Sequence, residues 1–297
     1  MFSGSFVALI TPFTKSGRID VRTLQELVQW HVEMGTEGLV CTGSTGEAIT
    51  LSEKDRKTVI RACVEAAEKK IPILAGTGTA DTKQSIRLTE SAQKFGVDGC
   101  LIIVPYYNKP TQLGCLCHFE ELSRLGHPLV IYNNPGRCIV GLHPETIAEI
   151  AKFPNIVALK EANSDPAHFA KVRALTSLPI FAGEDSSTYE MLCEGAVGAI
   201  SVIGNLLPRL WREMIHASKR DDEKKAKELF DRAQPVLRAL SLETNPQGIK
   251  KALSLTGKCG ATMRLPLLES AEEVTDELKK ALIRLSLPFW ATVSIPS

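Results

Sequence analysis

Residues 156–161 read Ile-Val-Ala-Leu-Lys-Glu: four unbroken apolar positions that end on a lysine and a glutamate. A strand with one wet face alternates apolar and polar residues. A run without alternation fits a parallel strand covered on both faces. The same kind of run recurs along the chain at 6–10, 38–41, 71–75, 100–104, 129–132, 179–182 and 199–203. The runs start about 20 to 35 residues apart, and helical periodicity fills the gaps.

The gaps carry helix punctuation. Asp20 stands where it can cap a helix whose Leu24, Leu27, Val28 and His31 share one face, with Gly35 placed to end it. Ser52-Glu53-Lys54-Asp55 reads as a capping box with Asp in the usual Glu place. Eight such strands with helices between them predict an α/β fold, a closed (β/α)8 TIM barrel. A doubly wound open sheet usually has fewer strands and a glycine-rich turn after the first, whereas here the first run leads into Thr11-Pro12-Phe13. Beyond about residue 206 only helical patterns remain. The expected organisation is a catalytic barrel over 1–224 and a C-terminal helical extension over 225–297.

The chain has 297 residues and a formal net charge of +1, so no basic excess exists to neutralise phosphates, and no nucleic-acid partner is expected. The mixed-sign run 219–225 reads as a solvated loop entering a helix. No apolar stretch is long enough to span a bilayer, and the start lacks a basic leader pattern, so the expected compartment is the cytoplasm without membrane contact. Eight cysteines sit mostly in apolar runs and read as free thiols in a reducing compartment. Cys115-Leu116-Cys117-His118 is the one tight cluster; with the other histidines scattered, no metal site is expected.

In a barrel, chemistry sits at the C-terminal ends of the strands. That rule selects Gly43-Ser44-Thr45-Gly46-Glu47, Pro105-Tyr106-Tyr107-Asn108, residues 132–137 (Tyr-Asn-Asn-Pro-Gly-Arg), Lys160-Glu161 and Gly183-Glu184-Asp185. Lys160 follows an apolar run, so burial disfavours its ammonium, and a neutral amine can attack a ketone to form a Schiff base. Alternatively it ends the strand paired with Glu161. Ser44 and Thr45 offer hydroxyls between glycines, suited to a small carboxylate or spent on a tight turn. Gly76-Thr77-Gly78-Thr79 lacks the Lys-Ser/Thr of a phosphate loop and reads as a strand-to-helix turn. Tyr107 and Tyr132 are either proton-relay phenols or packing residues with one polar handle. Arg137 is either a carboxylate clamp or a surface ion pair. Together these supply an amine, a hydroxyl relay, a cradle and a clamp on one barrel face.

The set Gly-Ser-Thr-Gly-Glu (43–47), Pro-Tyr-Tyr-Asn-Lys-Pro (105–110), Tyr-Asn-Asn-Pro-Gly-Arg (132–137) and Leu-Lys-Glu-Ala (159–162) resembles the dihydrodipicolinate synthase family, from Phe2-Ser3-Gly4-Ser5 through Glu243-Thr244-Asn245-Pro246. The resemblance implies a class I aldolase with no cofactor. Lys160 would form an iminium with pyruvate, and its enamine would attack L-aspartate 4-semialdehyde. Transimination would then release the product. It implies Thr45, Tyr132 and Tyr107 as proton relay, Ser44 and Thr45 on the pyruvate carboxylate, Arg137 on the semialdehyde carboxylate, and the backbones of Gly183 and Ile200 along the pyruvate pocket. In that family the tyrosine matching Tyr107 reaches a neighbouring subunit, which implies a homo-oligomer: a dimer, commonly a dimer of dimers.

Ser44 stands where threonine is usual in the synthase, and serine is common in the sister N-acetylneuraminate lyases. Arg137 and the Tyr-Tyr-Asn element point back to the synthase, since the sister lyases generally lack both. Glu53, Arg56, Ala80 and Gln84 do not match the lysine-sensing pattern of the family, so lysine is expected to inhibit weakly or not at all. The alternatives are a pyruvate aldolase for a sugar acid or sialic acid, and a barrel without catalysis, which the presence of Lys160, Tyr107, Tyr132 and Thr45 together disfavours. A metal-dependent class II aldolase would need a histidine and carboxylate cluster.

Overall fold

A computed structural model describes residues 2–285. Eight parallel strands close into a barrel in chain order: β1 Gly4–Ala8, β2 Gly38–Cys41, β3 Ile73–Gly76, β4 Gly99–Ile103, β5 Leu129–Asn133, β6 Ile156–Glu161, β7 Ile180–Ala182 and β8 Gly198–Ser201, with β8 pairing back onto β1. The outer layer is α1 Val21–Glu33, α2 Glu53–Ala67, α3 Thr82–Gln93, α4 Gln112–Ser123, the single turn α5 Pro135–Cys138, α6 Pro144–Ile150, α7 Pro166–Leu175, α8 Thr188–Cys193 and α9 Pro208–Lys219. The extension follows as α10 Glu223–Leu240, α11 Gln247–Leu255 and α12 Glu272–Arg284; residues 286–297 of the expected extension lie outside the described residues. The barrel and its C-terminal helices are therefore as expected, and each strand lies within two residues of its apolar run.

The strand runs are continuous because they serve two cores. Phe6, Ala8, Val40, Leu74, Leu101, Val130, Tyr132, Ala158, Phe181 and Ile200 fill the interior. Their strand neighbours, including Val7, Leu39, Ile73, Ile102, Ile131, Leu159 and Ala182, pack outward against the helices. Alternation along each strand thus separates two apolar layers rather than core from water. A register shift between Leu129 and Val130 leaves Val157 as an extra residue in β6. Beyond it Ala158 and Lys160 face the interior.

The helix ends follow the local sequence. Asp20 accepts from Thr23 N, and Ser52 and Asp55 form the reciprocal capping box. Asp222 caps α10 inside the charged run, accepting from Lys225 N at 3.1 Å. Cys115 and His118 are buried on α4, with His118 Nδ1 and Thr82 Oγ1 2.9 Å apart.

The extension is fastened to the barrel's upper rim by buried charge. Lys250 Nζ on α11 donates to Glu47 Oε1 and to the Thr262 carbonyl, each at 2.7 Å, with both charged side chains inaccessible to solvent. Arg264 N donates to the other Glu47 oxygen at 3.1 Å. Among the described residues, no helix is long and apolar enough to cross a membrane.

Candidate active site

Lys160 stands last but one on β6, 4 % exposed, beside Tyr132 on β5 in the strand register. Its Nζ lies 4.2 Å from the centroid of the Tyr132 ring. Among the described residues the amine makes no hydrogen bond or ion pair. Glu161 does not pair with it, because alternation turns Glu161 to the helix side. There its carboxylate accepts from Asn133 Nδ2 at 2.9 and 3.0 Å and from Asn163 N at 2.7 Å, with His168 Nε2 at 3.1 Å. The pairing alternative for Lys160 is thereby corrected.

The amine opens into a cavity of about 280 Å³ lined by Ser44, Thr45, Tyr132, Asn134, Arg137, Gly183, Asp185 and Asn245, among others. A second cavity of about 320 Å³ adjoins it, sharing Gly43, Ser44, Leu101, Tyr132, Arg137 and Asn245. Gly183 is where a side chain has no room: a Cβ there would stand 2.8 Å from the Glu161 carbonyl and 3.0 Å from Lys160 Cγ.

The loop after β2 forms the opposite wall. Its two left-handed residues are Thr42 (φ 51°) and Glu47 (φ 54°). Thr42 is anchored by Oγ1 to the Gly76 carbonyl and Glu47 by Lys250, so tertiary bonds offset the backbone strain. The N–H groups of Ser44, Thr45 and Gly46 find no acceptor among the described residues. Of these residues Ser44 and Thr45 line the cavity, where their hydroxyls and unpaired N–H groups supply donors. Thr45 Oγ1 accepts from Asn245 Nδ2 at 3.0 Å, and Arg137 Nη2 donates to the Asn245 carbonyl at 3.0 Å. The helical extension thus contributes directly to the wall.

The structure brings Lys160, Tyr132, Thr45, Ser44, Arg137 and Gly183 to one cavity. Two expected residues lie elsewhere. Ile200 belongs to the interior layer and lines neither cavity. Tyr107 is 85 % exposed, with a left-handed backbone (φ 73°), and lines neither cavity of its own chain.

The sequence reading assigned no role to Asn134, Asp185 or Asn245. Asn134 caps α5 through Oδ1, which accepts from Arg137 N at 3.0 Å, while its Nδ2 donates to Tyr132 Oη at 2.8 Å. An asparagine directly before a proline at a helix start is a capping signal that could have found it. Asp185 accepts from Val202 N at 2.9 Å and Ile203 N at 2.7 Å. Burial pushes its carboxyl up to about 7; the neighbouring Glu184 charge adds to the rise, and the two N–H groups and Lys160 oppose it. Among the described residues, no group of three or more His, Cys, Asp or Glu is placed to hold a metal ion.

The sequence profile described as the dihydrodipicolinate synthetase family matches residues 1–285. The 4-hydroxy-tetrahydrodipicolinate synthase of Persephonella marina is 42% identical over 287 residues, covering 95% of this chain and 98% of that protein. The crystal structure of dihydrodipicolinate synthase from Aquifex aeolicus superposes with a TM-score of 0.95 at 37% identity, over 98% of this chain and 100% of that one. The chloride-inhibited dihydrodipicolinate synthase of Acinetobacter baumannii, solved with pyruvate, also gives 0.95 at 37% identity, over 97% and 100%. With the profile and these relatives each spanning nearly the whole chain, the protein belongs to the dihydrodipicolinate synthetase family.

Proposed function

We propose that this chain is a 4-hydroxy-tetrahydrodipicolinate synthase, a lyase that condenses pyruvate with L-aspartate 4-semialdehyde through a Schiff base on Lys160. The observation that carries the site assignment is the buried Lys160 amine, free of any hydrogen bond or ion pair among the described residues and open to the cavity. With no hydrogen-bond or ion-pair partner among the described residues, Nζ is left free to bond a ketone carbon in the cavity.

The Ser44 and Thr45 donors receive the pyruvate carboxylate and place C2 against Nζ. Attack gives a carbinolamine, and loss of water gives the iminium. Removal of a methyl proton then yields the enamine that adds to the aldehyde. Tyr132, against the lysine, and Thr45, across the cavity, move the protons. Arg137, lining both cavities, takes the semialdehyde carboxylate. The second substrate's own amine displaces Lys160, closing the ring and freeing the enzyme. The reaction needs no cofactor, because lysine itself supplies the electron sink.

Tyr107 completes the relay across a subunit contact. Its 85 % exposure and left-handed backbone support a side chain held outward for a second copy of the chain. The functional unit is then at least a homodimer, working in the cytoplasm. Borohydride reduction with pyruvate, followed by peptide mass spectrometry, should place one pyruvate-derived adduct on Lys160. Lys160→Ala should fold, take no label and lose turnover. A label elsewhere, or turnover in that variant, removes Lys160 as nucleophile. Initial rates with aspartate semialdehyde, set against pyruvate release from N-acetylneuraminate, decide the aldehyde.

A further inference from the structure

Tyr132 is given a proton direction by its neighbour. The Asn134 side chain is fixed at both ends: Oδ1 accepts from Arg137 N at 3.0 Å and Nδ2 donates to Tyr132 Oη at 2.8 Å. A backbone N–H can only donate, so the oxygen of this amide must face Arg137 and the nitrogen must face the phenol. An amide NH2 can also only donate, so the Tyr132 oxygen must accept. Among the described residues that oxygen makes no other hydrogen bond. Its hydrogen is therefore left to point away from Asn134, into the cavity that holds Lys160.

Resting on the Schiff-base reading above, we propose that Asn134 is a positioning residue that sets Tyr132 as a proton donor to the Lys160 adduct. When Tyr132 gives up its proton, the Asn134 N–H already in place stabilises the phenolate, and no side chain has to reorient. When the proton returns, the same bond directs it back to the cavity side. The cap that Asn134 places on α5 also sets Arg137, so one side chain orients both the relay and the rim cation.

Asn134→Asp separates these roles. The substitution keeps the oxygen that caps α5 and replaces the donor facing Tyr132 by an acceptor. Tyr132 must then turn its hydrogen toward the new carboxylate, away from the substrate, and the added charge opposes a phenolate. The charged groups sharing the cavity are Arg137, Lys160, Glu184, Asp185 and Glu243. They are common to both proteins, so the readout is the ratio of variant to wild-type kcat at each pH.

The ratio should fall by about 10²-fold near neutral pH. It should recover in acid, where a protonated carboxyl can again donate to the phenol. The KM for pyruvate should change far less than kcat. In a Tyr132→Phe background the substitution should add no loss in kcat. A ratio near one, a loss that ignores pH, or full additivity with Tyr132→Phe overturns the proposal. If Asn134→Asp does not fold, Asn134→Ala replaces it: a loss in kcat that Tyr132→Phe masks supports the role, and unchanged kcat overturns it. Pyruvate-dependent borohydride labelling of the wild type is run alongside. Its failure would remove the Schiff base itself, whereas labelling with a normal Asn134→Asp kcat removes only the role of Asn134.

Discussion

Replacing Lys250 by methionine tests how the extension is held to the active-site rim. Lys250 is inaccessible to solvent, and its ammonium sits 2.7 Å from Glu47 Oε1 and 4.3 Å from the centroid of the Phe13 ring. Burial pulls that ammonium below the ordinary lysine value, with the Glu47 carboxylate opposing the fall. Methionine fills much of the same volume and deletes the charge. Glu47 is then left buried, with one N–H, from Arg264, on its other oxygen. Breaking a buried pair from one side costs about 3–5 kcal/mol, because the surviving charge keeps its desolvation penalty. That is a large share of the roughly 5–15 kcal/mol that holds a typical folded protein. Adding Glu47→Gln removes the stranded charge and leaves an acceptor for Arg264, so the double variant should recover at least about 1 kcal/mol over Lys250→Met. The assay is urea unfolding at one protein concentration, followed by fluorescence and circular dichroism. Because Glu47 closes the loop carrying Ser44 and Thr45, the KM for pyruvate should rise in Lys250→Met as well. A loss below about 1 kcal/mol, or a double variant no better than the single one, would refute the ion-pair account.

Tyr107→Phe should lower kcat by about 10²-fold while leaving the borohydride label on Lys160, since it removes a relay hydroxyl and not the nucleophile; normal turnover would take Tyr107 out of the relay. Millimolar lysine should inhibit initial rates weakly or not at all. The cleft beside Tyr106 holds the Arg56 cation, which donates to the Gly76 carbonyl at 3.1 Å and the Ala48 carbonyl at 2.6 Å, where an incoming ammonium would be repelled; strong inhibition would refute this. Burial holds His31 down to about 3, with the Lys258 charge adding, and burial holds His118 down to about 4, with Asp81 opposing. Both stay neutral when folded and charge near 6.5 when unfolded, so their contribution is complete above that pH and is lost as pH falls toward 4 and 3. The slope is up to about 1.4 kcal/mol per pH unit for each histidine. Asp185, raised to about 7, acts in the opposite sense over the same range. The His31 share is therefore the difference between wild type and His31→Gln in urea midpoints from pH 7 down to pH 4; equal slopes in the two proteins would refute it.

The barrel was legible because a strand buried on both faces leaves an unbroken apolar run, and all eight did. Lys160 was legible because a charge ending such a run has only the rim to occupy. What resisted reading was partnership. Lys160 and Glu161 adjoin in sequence yet face opposite layers, and Glu161 finds Asn133, Asn163 and His168 instead. Glu47 and Lys250 are 203 residues apart, and no local pattern joins them. The left-handed turns of the loop after β2 fall on Thr42 and Glu47, held by anchored side chains that no local pattern announces. Ile200, and the reach of Tyr107 into a neighbouring subunit, came from resemblance, and the cavity geometry of a single chain includes neither residue.

The rung that pairs Tyr132 with Lys160 is followed directly by the rung that pairs Asn133 with Glu161, one facing the cavity and the next facing the helices. The chemistry of this barrel is in that sense written in a reading frame. Removing or adding one residue between the bulge at Val157 and the end of β6 would carry the glutamate into the cavity. The lysine would be driven among Asn133, His168 and the apolar outer layer. Length variation is therefore tolerable in the loops that cap the rim and forbidden in the four residues that count out the nucleophile.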